Sequence, residues 1–155
     1  TRRSTRTRKD GAPVNSALCS MNKRSYEIDG SRFSTLEGFF EEVSSVLIPG
    51  ADWGKNLDAF NDILRGGFGT PDGGFILKWK NSNLSRERLG YAETVRQLER
   101  RLQHCHPSNR THVSGDLANA KSGIGPTVFE WLIEIIRVHC AGGEEHEDGV
   151  ELVLE

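Results

Sequence analysis

Three short strand-like segments, set far apart and separated by stretches of helical periodicity, constrain this chain more than any other feature. They are Ser25-Tyr26-Glu27-Ile28, Phe75-Ile76-Leu77-Lys78-Trp79, and Val150 to Leu154. Antiparallel neighbours can be joined by a tight turn, whereas parallel strands need a crossover of about a dozen residues or more. Both intervals here are long enough for crossovers and carry apolar residues at helical spacing. Right-handed crossovers between sequential neighbours place every helix on the same side of a sheet. The expected fold class is therefore α/β: a two-layer fold, with a three-stranded parallel sheet and helices on one face.

The helical stretches have readable limits. Ser34 and Glu37 have the spacing of a capping box. After them Leu36, Phe39, Phe40, Val43, Val46 and Leu47 make one apolar stripe, which Pro49-Gly50 ends. A short helix is expected from about Asn56 to Arg65, with Leu57, Phe60 and Leu64 inward, and Gly66 to Gly74 reads as a glycine-rich loop. Beyond the second strand, Tyr91, Val95, Leu98, Leu102 and Cys105 predict a helix that stops before Pro107. Val113, Leu117 and Ala120 suggest a further short helix, bounded by Gly123 and Gly125. Pro126 suits the first turn of the next one, which is strongly apolar (Val128, Phe129, Leu132, Ile133, Ile136) and ends at Gly142-Gly143. An acidic linker, Glu144 to Gly149, leads to the last strand.

Composition divides the chain unevenly. Residues 1–22 are rich in Thr, Arg and Ser and read as a disordered basic tail, leaving residues 23–155 as the folded domain. The tail is either an electrostatic arm for nucleic acid or an uninvolved terminus. The rest carries 15 bases against 21 acids, a surface that attracts basic partners and repels nucleic acid. No apolar run approaches the roughly 20 residues that span a bilayer, and the basic start lacks the apolar centre of a signal peptide. Cys19, Cys105 and Cys140 are odd in number and widely spaced, which argues against a disulfide framework. A cytoplasmic protein is the expectation.

The segment Trp53 to Leu64, WGKNLDAFNDIL, carries the most functional information. On a helix Asp58 and Asp62 stand four residues apart and share a face, with Leu57, Phe60 and Leu64 opposite. Like charges at this spacing cost a helix a few tenths of a kcal/mol, and nothing in the folding argument demands them. Asp52 and Asn61 can add to the same edge. Read alone, the stripe is more readily a solvated polar face, since exposed charges are commonplace.

This segment resembles the aromatic-Gly-x-Asn-Leu-Asp-Ala-Leu-x-Asp motif of the barstar family, with Phe60 in place of the second leucine. The resemblance runs through the order of elements from about Ser25 to Leu154: the first strand with Asp29-Gly30, the first helix, Pro49, this motif, the strand ending in Trp79, and the late helix and strand. Residues 80–125 are longer than in barstar itself and closer to longer barstar-like proteins of actinobacteria. The resemblance implies a non-enzymatic inhibitor that binds one small basic ribonuclease of guanyl-specific type, or a related toxin, as a monomer in a 1:1 complex. It would have no cofactor, no metal and no direct contact with nucleic acid or membrane. Its carboxylates would take phosphate positions in the catalytic cleft, with Asp62 foremost and Asp58 beside it. Trp53 and Asp52 align with two contact tyrosines, Asn61 replaces a tryptophan, Gly67 and Phe68 match a glycine-aromatic contact region, and the contact glutamate of the late helix falls at Glu134 or Ile135, depending on alignment.

Other readings compete. Immunity to a toxin that is not a ribonuclease needs the same acidic face. A small hydrolase could use Asp52, Asp58 and Asp62 as acid and base, although no nucleophile motif or phosphate-binding loop accompanies them. His104-Cys105-His106 and His139-Cys140 suggest zinc only weakly, because adjacent helical residues point about 100° apart. The Arg96, Arg100, Arg101 stripe is interleaved with Glu93 and Glu99 and reads as a salt-bridged solvent face rather than a nucleic-acid patch.

Overall fold

The computed structural model describes residues 23–66, 69–71 and 73–155. The basic tail, Gly67 and Phe68 lie outside the described residues. Strand β1 (Arg24–Asp29) is followed by helices α1 (Leu36–Leu47) and α2 (Leu57–Leu64), then by β2 (Phe75–Lys80). Helices α3 (Ser82–Arg88), α4 (Tyr91–His104), α5 (Arg110–Lys121) and α6 (Val128–Val138) precede β3 (Glu151–Leu154). The strands lie in the order β1-β2-β3 and pair parallel throughout. The two-layer α/β architecture is as expected.

Register explains which face is covered. Ile28 pairs with Trp79, Trp79 with Leu154, and Leu77 with Tyr26 and Leu152. Side chains alternate along a strand, so these residues share one face, and Ile28, Leu77 and Trp79 are fully buried there. The opposite row, with Glu27, Lys78 and Val153, faces solvent. Trp79 is the hub of the covered layer: its ring centroid lies 5.2 Å from Phe39 and 5.1 Å from Phe129. Its indole N–H donates to Ser85 Oγ at 2.9 Å, which lets a polar ring atom sit in an apolar core.

Helix starts differ in detail from their sequence signals. Thr35, not Ser34, caps α1, its hydroxyl accepting from Gly38 N at 3.0 Å. Pro126 precedes the cap of α6 rather than entering its first turn; Thr127 is the cap and forms a capping box with Glu130. Between β2 and the expected helix α4 the chain inserts α3, entered at Asn81 in left-handed conformation (φ 56°). Residues 110–121 do form a helix, burying Val113, Leu117 and Ala120 as their spacing indicated.

Helices α4 and α5 build a small second cluster around Leu98, Leu117 and Ala120, and Trp131 of α6 packs against both clusters. Helix α4 is tied to its neighbours by two adjacent buried side chains. Glu93 Oε2 accepts from Leu36 N at 2.9 Å, and Thr94 Oγ1 accepts from Val128 N at 2.9 Å. Each satisfies an orphan donor at the start of another helix, α1 and α6 respectively. Two arginines of the α4 stripe are ion-paired: Arg96 with Glu37 and Glu93, and Arg100 with Glu37. That pairing is as expected, but it runs largely across to Glu37 of α1, while the interleaved Glu93 is buried and Glu99 lies near Lys121.

Candidate partner-binding face

The acidic helix is set by the loop before it. Gly54 (φ 83°) and Lys55 (φ 48°) both turn through left-handed backbone, a conformation that costs a lysine energy and redirects the chain sharply. Lys55 Nζ reaches Glu41 Oε2 at 3.0 Å. Asn56 then caps α2, its Oδ1 accepting from Ala59 N at 2.8 Å. Phe60, Ile63 and Leu64 anchor the inner face in the main core at 1% exposure or less. With an inner face this firmly held, the outer carboxylates ride on a fixed platform.

Asp58 is exposed in the first turn of α2, where the helix dipole favours a negative charge, and it has no ion-pair partner among the described residues. It stands at the mouth of a cavity of about 650 Å³ between α1, α2 and α4, whose walls include Phe40, Lys55, Arg100 and Arg101. Asp62, one turn on, has half its side chain exposed and accepts from Arg65 Nη1 at 2.7 Å. Arg65 in turn clasps Glu145, with Nε to Oε1 at 2.6 Å and Nη2 to Oε2 at 3.0 Å. The hydrogen bond from Arg65 holds the Glu145 carboxyl below its ordinary range. Asp52 is exposed on the preceding loop.

The other expected contact residues are placed differently. Trp53 is buried at 6% exposure, its N–H donating to Ser44 Oγ at 3.0 Å and its ring edge-on to Phe40 at 5.6 Å. The ring anchors the loop beneath the acidic residues and offers a partner little surface. The Asn61 side chain turns inward, its Oδ1 2.6 Å from His139 Nε2. Glu134 is exposed on α6 but lies about 140° around that helix from His139. It borders cavities with Arg86, Phe129 and Leu154 on one side and Cys140 and Glu151 on the other, not the one that Asp58 borders. Asp58 and Asp62 thus share one face, Asp52 lies on the loop leading into it, and Glu134 is elsewhere.

Sequence reasoning weighed His139 only with Cys140 and read Glu145 and Asp148 only as part of an acidic linker, without bringing the three together. His139 Nδ1 lies 2.6 Å from Asp148 Oδ2, and the two carboxylates and the imidazole converge within 4.8 Å. Their lone pairs are largely spent on hydrogen bonds, Glu145 on Arg65 and His139 on Asn61 and Asp148. The run Glu144-Glu145-His146-Glu147-Asp148 was the available signal, since it adds negative charge, but spacing alone could not bring it beside α2.

Comparison with protein families gives a match over residues 23–113 to the family described as Barstar (barnase inhibitor), more than half of the chain. The matched region includes the whole of β1, α1, α2, β2, α3 and α4. No curated protein matches the sequence.

Proposed function

From membership of the barstar family, to which this chain belongs, we propose that it inhibits a small basic ribonuclease by laying the acidic face of α2 into the enzyme's catalytic cleft. Proteins of this family are non-enzymatic inhibitors of barnase-type ribonucleases. The observation that carries the finer reading is the pair Asp58 and Asp62, outward on a capped helix whose other side is fixed in the core. A ribonuclease cleft gathers Arg, Lys and His to hold a phosphodiester. Carboxylates held at phosphate spacing accept charge-assisted hydrogen bonds from the same groups. Little of the acidic helix needs ordering on binding, so the entropic cost of association is reduced.

Arg65 gives Asp62 a second property. In the free protein its guanidinium satisfies Asp62 and Glu145 together. An incoming ribonuclease cation replaces it at Asp62 while Glu145 retains it, so no uncompensated charge is left behind. Asp52 and Glu145 extend the negative field that draws a cationic partner in. Members of such a complex bind one to one and without cofactor.

The test is capture on immobilised microbial guanyl-specific ribonucleases, barnase among them, followed by RNA-cleavage inhibition. Inhibition that saturates at one equivalent and is lost in the double variant Asp58→Ala/Asp62→Ala, with circular dichroism unchanged, is the expected result. Full inhibition by the double variant removes α2 from the interface.

A further inference from the structure

The cavity that Asp58 borders has a second charged wall, to which the inhibitor reading assigns no part. Arg100, Arg101 and His104 of α4 line it together with Gln97, at the three- and four-residue steps that put side chains on one face of a helix. The charges around this cavity differ in how they are answered. Arg100 is ion-paired with Glu37, which also holds Arg96, and Lys55 is ion-paired with Glu41 at 3.0 Å. Asp58 and Arg101 are exposed, and neither has an ion-pair partner among the described residues. The Arg101 guanidinium lies over the Trp131 ring, 5.3 Å from its centroid, a contact that steadies the side chain without neutralising it. The cavity is therefore a dipolar socket, with one uncompensated negative charge on α2 and one uncompensated positive charge on α4.

A protein laid over Asp58 covers the opening that Arg101 also lines, and so meets both charges. A cation of the partner against Asp58 gains a charge-assisted hydrogen bond. A second cation against Arg101 is repelled, and an uncharged surface strips water from the guanidinium with nothing in return. A carboxylate at that position accepts from the planar fork of the arginine instead. Attraction and penalty thus favour the same kind of partner, which is how specificity is built from a few charges.

We propose that Arg101 is a specificity-determining residue of the inhibitory face, selecting a ribonuclease that carries a carboxylate beside the cation that engages Asp58. Helix α4 then contributes a contact of its own next to α2, and a basic enzyme is recognised by a pair of opposite charges and not by its net charge alone. This inference rests on the ribonuclease-inhibitor reading.

The experiment measures inhibition constants of full-chain variants against a ribonuclease that the unmodified chain inhibits, with circular dichroism and Tm recorded for each. Arg101→Glu should weaken inhibition on the order of tenfold or more. Arg101→Lys keeps a cation without the planar fork and should weaken it less. Lys78→Glu makes the same change of net charge on the open face of the sheet and should leave inhibition unaltered. Replacing the enzyme's surface Asp and Glu residues singly by Lys should reveal one enzyme variant that Arg101→Glu inhibits better than the unmodified chain does. Packing of Arg101 on Trp131 could not produce that recovery, because a packing loss is blind to charge on the enzyme. Should Arg101→Glu fail to fold, Arg101→Gln takes its place in the same cycle, and its coupling to one enzyme carboxylate is read instead. A folded Arg101→Glu that inhibits as well as the unmodified chain, an equal loss in Lys78→Glu, or the lack of any enzyme carboxylate coupled to Arg101 overturns the inference and leaves the inhibitor reading standing. An unmodified chain that inhibits no ribonuclease overturns both.

Discussion

Replacing Glu93 by alanine should destabilise the fold by about 3 kcal/mol, although the residue sits in a helix that reads as polar. Its carboxylate accepts from Leu36 N at 2.9 Å, from Arg96 Nε at 2.7 Å and Nη2 at 2.8 Å, and from Gln97 Nε2 at 2.9 Å. Stranding the buried Leu36 N–H costs about 1–3 kcal/mol, and losing a hydrogen bond to a charged acceptor about 1.5–3. These overlap in the same bond and are not summed. The Arg96 side chain is 42% exposed, so water recovers most of its share and the ion pair adds about 1 kcal/mol at most. A total near 3 kcal/mol corresponds to a fall in Tm of roughly 10 °C. Glu93→Gln keeps an acceptor for Leu36 N and should cost only about 1 kcal/mol.

Acid provides a second handle on the same group. Desolvation raises the Glu93 pKa, but hydrogen bonds from Arg96, Gln97 and Leu36 outweigh it and hold the carboxyl below the ordinary 4.5. A carboxyl depressed in the folded state contributes its stability above the unfolded value and loses it as pH falls through the folded one. The gap between wild type and Glu93→Ala should therefore be full at neutral pH and narrow once pH drops below 4.5. Urea unfolding followed by circular dichroism at a series of pH values measures it. A gap within about 0.5 kcal/mol at neutral pH, or one that widens in acid, would refute the capping argument.

Four further outcomes follow from the geometry. Asp62→Ala should weaken ribonuclease binding by about 2 kcal/mol or more, measured by titration calorimetry, with Asp58→Ala next in size. Rising salt should slow association more than it speeds dissociation, a dependence that stopped-flow mixing resolves. Gly74→Ala should cost about 2 kcal/mol or more in thermal unfolding, because φ is +96° and the new Cβ would lie 2.2 Å from the Gly149 carbonyl oxygen. Ser44→Ala should cost about 1 kcal/mol by leaving the Trp53 N–H without an acceptor, and an unchanged Tm would show that water takes the place of the hydroxyl.

What could be read from the sequence was local, and what could not was brought together by folding. Alternation in Phe75 to Trp79 and the apolar spacing of α1 and α6 are statements about neighbours, and both reported the core faithfully. The same reasoning put Asp58 and Asp62 on one face because four residues make roughly one turn. It could not foresee that the Trp53 ring packs on Phe40 and donates to Ser44, since an aromatic ring beside a charged motif serves equally as a contact or as an anchor. Arg65 and Glu145 meet across 80 residues, and Asn61 and His139 across 78, distances over which no periodicity speaks. Glu93 was counted among the acids of a solvated stripe, yet the amide that buries it lies 57 residues earlier.

The adjacent pair Glu93 and Thr94 also couples two helices. One side chain completes the first turn of a helix before it in the chain, the other the first turn of a helix after it. That segment acts as a keystone: with either side chain removed, the opening amide of a different helix is left without its acceptor.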